Sequence, residues 1–177
     1  MTNLKKLVIA AVCIALCVVL PMAFHMIPNA GAVMLPMHIP VLLCGLVCGW
    51  PWGLACGVLG PLLSSLLTSM PPAAVLPSMM VECAVYGLVS GAALLRIRTK
   101  SVYADLYLSM IAAMILGRIV GGAAKALLFA PGSMTMKIWA AGYFVTGLPG
   151  IAVQLVLIPS LVFALMKANL IPQRYPK

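Results

Sequence analysis

Acidic residues are nearly missing: Glu82 and Asp105 are the only two in 177 residues, and charged residues of both signs make up 7% of the chain. A soluble domain is about 25% charged, so this chain lacks the polar surface needed to face water. With one acid inside an apolar run there is no carboxylate dyad for acid–base chemistry and no series of acids for a proton relay. There is no GxxxxGK(S/T) run to cradle a nucleotide and no HExxH helix to hold zinc, and Gly147-Leu148-Pro149-Gly150 lacks the serine of a nucleophile elbow. These absences exclude a membrane-anchored soluble enzyme, a stand-alone proton-driven pump and a chain with its own ATPase. No enzymatic activity, resident cofactor or metal is expected.

What the chain does have is hydrocarbon: 64% of its residues are hydrophobic. A span needs ~20 apolar residues, so six spans would use about 120 of them and leave only short loops. The sequence predicts one all-α transmembrane domain over residues 1–177. The first span runs from about Lys5 to Phe24 and ends at the breaker Pro28-Asn29-Ala30-Gly31, with an outer loop to about Pro36. The second, Met37 to Gly49, is short and ends at Trp50-Pro51-Trp52, read as a tight proline turn. Gly53 to Ser69 returns outward, and Met70-Pro71-Pro72 through Pro77 forms an uncharged outer loop. The fourth span covers Ser78 to Leu95 and the fifth Val102 to Phe129, broken at Ala130-Pro131-Gly132-Ser133; the sixth runs from Ile138 to Lys167. Leu7 to Ala23 is long enough to span and lacks a small-residue cleavage site, so the first helix is expected to stay.

Eleven Lys and Arg give a formal charge of +9. Lys5 and Lys6, the cluster Arg96, Arg98 and Lys100, and the closing Lys167, Arg174 and Lys177 fall where six spans with both termini in the cytoplasm place inner segments, whereas the outer loops carry only Lys137. The basic balance is a topology signal. Without aromatic interleaving or a longer basic stretch, no nucleic-acid partner is expected. Cys13/Cys17 and Cys44/Cys48 are four apart and share helix faces, but no His or acid stands beside either pair; they read as small apolar packing residues.

Ionisable residues inside spans are costly and are functional candidates. At ~1.5 Å per residue, Glu82, Arg118 and Lys125 all fall in the outer half of their helices. Glu82 and Tyr86 are i,i+4 on one face, and Arg118 and Lys125 are i,i+7 on another, with Gly121 and Gly122 leaving space beside them. On the sixth span Tyr143 is shallow and Gln154 deep; His25, Asn29 and His38 flank the first outer loop, where histidines read first as interface residues. Together these residues could line an outward-facing polar cup. Glu82 could instead pair with Arg118 or Lys125 merely to lock the bundle; since Arg118, Lys125 and Lys137 face one acid, a cation is left over after any pairing, which leans towards an anionic ligand.

Leu35-Pro36-Met37-His38-Ile39-Pro40, followed by Gly60-Pro61-Leu62-Leu63-Ser64-Ser65-Leu66-Leu67-Thr68 and Met70-Pro71-Pro72, resembles the substrate-binding S components of energy-coupling factor (ECF) vitamin transporters. The resemblance extends over nearly the whole chain. It implies a six-helix bundle in a prokaryotic cell membrane that captures a micronutrient from outside under the first and third outer loops. It further implies docking on a transmembrane coupling subunit through an AxxxA pattern on the first helix, matched here by Ala11-Val12-Cys13-Ile14-Ala15, and toppling within the membrane, driven by two partner ATPases. The cation surplus puts a pantothenate-like anion ahead of a vitamin B6-type amine, which Glu82 with Tyr86 could hold. The rival reading is a stand-alone porter or channel that moves a small solute without ATP.

Overall fold

The computed structural model describes residues 1–24, 30–129 and 135–173, and every regular element in them is helical. Five helices are long and apolar enough to cross a membrane. They are α1 (Asn3–Ala23), α4 (Trp50–Thr68), α5 (Leu76–Arg96), α6 (Val102–Ala124), which continues into a π-helical turn at Lys125–Phe129, and α8 (Leu148–Lys167). Between them lie a one-turn helix α2 (Ala30–Met34), the short apolar α3 (His38–Cys48) and the small α7 (Met136–Ala140), followed by a second π-helical turn at Ala141–Val145. We call the end that carries the Arg96–Lys100 connection the basic end and the opposite one the proline-rich end.

The short second apolar run is the middle of the molecule. At 11 residues, α3 is about 16 Å long against an apolar core of ~30 Å. It is apolar on all sides and nearly all of it is buried, among α1, α4, α5 and α8. The turn into α4 is made by Gly49, in the left-handed region at φ 94°, not by the Trp-Pro-Trp run. Pro51 instead occupies the first turn of α4, where its missing N–H costs no hydrogen bond. Glycines then bring α3, α4 and α5 together: Gly53 and Gly87 face each other so closely that a Cβ on either would collide with the other's backbone.

The buried stripe Ala10, Cys13, Cys17 and Pro21 turns α1 onto this slab, while Leu7, Val8, Val12, Val19 and Met22 on its other side stay exposed. All six cysteines are free and buried. Cys17 and Cys44 direct their thiols at the carbonyls of Met37 and Trp52, 3.7 and 3.5 Å away. Among the described residues no group of three or more His, Cys, Asp or Glu could hold a metal ion. At the basic end Asp105, fully buried, accepts from both the backbone N–H (2.8 Å) and the hydroxyl (2.7 Å) of Thr99, fastening the α5–α6 connection to the first turn of α6.

Besides the turn at Gly49, two further expectations change. The sequence predicts a loop up to Pro36, yet Ala30–Met34 forms a helical turn that stops at Leu35, a non-glycine residue in the left-handed region (φ 49°). The run predicted as one sixth helix is interrupted after its π-helical turn, because Gly147 caps a new helix and Pro149 in the first turn of α8 cannot donate back to the preceding segment.

Candidate functional site

Three helices meet near the proline-rich end with polar side chains turned inwards. Glu82 and Tyr86, one turn apart on α5, are both buried, at 8% and 0% exposure. Arg118, 2% exposed on α6, donates from Nε to the Tyr86 hydroxyl at 2.9 Å. The helices approach this closely because α6 carries glycine where α5 carries bulk: a Cβ on Gly117 would collide with the Tyr86 ring, and one on Gly121 would lie 2.7 Å from Glu82 Cβ. A buried guanidinium needs such partners, since an uncompensated charge in this setting is strongly destabilising.

The first residue of α3 completes the cluster. His38 is 1% exposed, its ring stands edge-on to Tyr86 with centroids 4.8 Å apart at 72°, and its Nε2 lies 3.4 Å from Glu82 Oε1. The pair is at ion-pair distance without hydrogen-bond alignment. The sequence offered Arg118 or Lys125 as a partner for Glu82 and counted His38 among the cup residues while reading it first as an interface residue; the structure sets His38 against Glu82 inside the bundle. Histidine beside Pro36 and Pro40 looked like loop chemistry, and only the helical start at residue 38 turns it inwards.

Two further contacts attach peripheral segments to this cluster. On α8, Gln154 is fully buried and donates from Nε2 to the Leu35 carbonyl at 3.4 Å, and Gly150 one turn earlier lies so close to α2 that a Cβ there would stand 2.7 Å from the Val33 carbonyl oxygen. On α7, the half-buried Trp139 donates its indole N–H to the Arg118 carbonyl at 3.3 Å, across a gap left by Gly122. Trp139 was not foreseen, because a tryptophan at the head of a span reads as an interface anchor.

The remaining candidates separate. Lys125 is half-buried at the start of the π-helical turn, and Lys137 is exposed on α7. Tyr143 lies in the second π-helical turn, its side chain outside the described residues, as are His25 and Asn29. Beside the polar cluster, α1, α3 and α8 enclose a groove of about 300 Å³ lined only by apolar residues, among them Leu20, Ile39, Leu43 and Leu157; it offers packing for hydrocarbon alone.

A model of the ECF transporter substrate-specific component family matches residues 5–171. The chain belongs to that family. A comparison with curated proteins gives no match. ECF substrate-specific components are substrate-binding subunits of importers rather than enzymes, and the long apolar helices make this member a membrane protein. His38, Glu82, Tyr86 and Arg118 are in contact with one another at the proline-rich end, and Gln154 is tied to Leu35 beside them.

Proposed function

We propose that this chain is the capture subunit for a vitamin or related micronutrient, that its ligand sits against the cluster of His38, Glu82, Tyr86, Arg118 and Gln154, and that it depends on partners for energy. The observation that carries this reading is the convergence of α3, α5 and α6 on buried, mutually contacting polar side chains inside an otherwise apolar bundle. Lys125, and by the sequence pattern Tyr143 and Asn29, complete the proposed set of substrate-binding residues. Arg118 and Lys125 against the single acid Glu82 keep a pantothenate-like anion ahead of a B6-type amine.

The chain is multi-pass in a prokaryotic plasma membrane, with the basic end and both termini in the cytoplasm and α3 as the short second of six crossings. Ala11 and Ala15 are exposed on the lipid-facing side of α1, which supports their role as the docking face for a coupling subunit that carries two ATPases. Replacing both by leucine (Ala11→Leu with Ala15→Leu) fills that face. The double variant should keep its bound micronutrient and lose the detergent-stable complex with the coupling subunit and ATPases. A complex that survives the double substitution would remove α1 as the docking face.

A further inference from the structure

Two of the long helices are held apart. α1 packs on α3 and α4, α8 packs on α2, α3 and α6, and the short α3 lies between α1 and α8, where the apolar groove opens. Each wall of that groove is a ridge of residues four apart, and so on one face of its helix: Leu16, Leu20 and Phe24 along the end of α1, and Val153, Leu157 and Leu161 along α8. Ile39 and Leu43 form a matching ridge on α3 that floors it. Each wall covers a rise of eight residues, about 12 Å at 1.5 Å per residue. Spread over that length, the volume of about 300 Å³ makes a slot about 25 Å² in cross-section, roughly 5 Å across.

These proportions select the occupant. A helix of a partner or of a second copy is about 10 Å or more across with its side chains, too wide to enter. A polar solute would find no hydrogen-bonding group along the walls to replace its water. The slot starts beside Pro36 at the proline-rich end and runs inwards along two membrane-spanning helices, and on its α8 lip Val153 and Leu157 stay 38% and 39% exposed. What lies alongside a span at that depth is lipid hydrocarbon, and an unfilled slot would forfeit the dispersion contacts of its lining. We infer that the slot holds one acyl chain of a membrane phospholipid from the leaflet at the proline-rich end, threaded between α1 and α8. The chain supplies the packing that these two helices do not give each other. It also leaves the proposed docking face free: Ala11 and Leu20, like Ala15 and Phe24, are nine residues apart, two and a half turns, and so lie on opposite sides of α1. The inference holds whichever solute the polar cluster takes.

Thermal unfolding of the delipidated full chain tests this in digitonin, a detergent whose rigid ring system cannot enter the slot. Phosphatidylcholine with straight saturated chains should raise the unfolding temperature saturably, because a ligand that binds only the folded chain stabilises it. Diphytanoyl phosphatidylcholine has the same headgroup on methyl-branched chains, which a close-fitting slot does not admit, and should need about tenfold or more lipid for the same rise. Leu157→Trp fills the slot and should abolish the straight-chain effect, whereas Val156→Trp, at a neighbouring position 69% exposed, should keep it. Equal midpoints for straight and branched lipid on the unaltered chain, which needs no variant to fold, overturn the inference, as does a straight-chain effect that survives Leu157→Trp. Lipid without effect, together with a Leu157→Trp chain that loses its complex with the coupling subunit or a self-association, gives the slot to protein side chains and overturns it as well. None of these outcomes decides solute capture, which is read separately by mass spectrometry of the small molecule that co-purifies.

Discussion

Removing one oxygen atom tests whether the contact between α5 and α6 organises the site. Tyr86→Phe keeps the ring, its edge contact with His38 and its packing on Gly117, and deletes only the hydroxyl that accepts from Arg118 Nε at 2.9 Å. Both residues are at most 2% exposed, so no water stands ready to replace the lost acceptor. A hydrogen bond to a charged group contributes about 1.5–3 kcal/mol, and losing it leaves a buried donor unsatisfied. If that bond holds the guanidinium in its binding position, the loss corresponds to about 10- to 150-fold in Kd. Equilibrium binding of the co-purifying micronutrient, with thermal unfolding in detergent as the check on folding, reads this directly. Binding within twofold of the unaltered chain, with the fold intact, would refute the claim that Tyr86 positions Arg118.

Glu82→Ala and Arg118→Ala should each weaken substrate binding by about tenfold or more while circular dichroism shows the helices intact, and normal binding by both would remove the cup. Gly87→Leu drives a side chain into the Gly53 backbone, and should cost well over 3 kcal/mol of stability and most of the folded yield, read by size-exclusion profile. Gly122→Ala intrudes on the Trp139 indole; with Trp50→Phe and Trp52→Phe removing the other two tryptophans, the emission of Trp139 should shift to the red as the indole leaves the Arg118 carbonyl. Trp139→Phe, which removes one neutral hydrogen bond, should cost about 0.5–1.5 kcal/mol.

The long helices were legible because apolar runs of span length ended at recognisable breakers; α1, α4, α5 and the start of α6 lie within a few residues of their predicted bounds. The brevity of α3 was legible too, though not its central position, which depends on glycine contacts across three helices. The break before α8 was hidden, because Gly147 and Pro149 interrupt a run that stays apolar throughout. Within the site, Glu82, Tyr86 and Arg118 could be found because each costs free energy in a bilayer and so marks a purpose. Gln154 was legible as a deep polar residue, but not its attachment to Leu35, 119 positions away in sequence. His38 was counted in the cup but read first as an interface residue, and Trp139 was not singled out at all: both residue types suit membrane edges, and only the fold decides which way a side chain at an edge turns.

The central claim is that this chain recognises a solute and leaves the energy source to partners. Uptake of the labelled co-purifying micronutrient into proteoliposomes, measured with the chain alone and with the coupling subunit and ATPases added, tests it most directly. The account predicts binding without accumulation for the chain alone and ATP-dependent accumulation once the partners are present. Accumulation by the chain alone, without ATP, would contradict it.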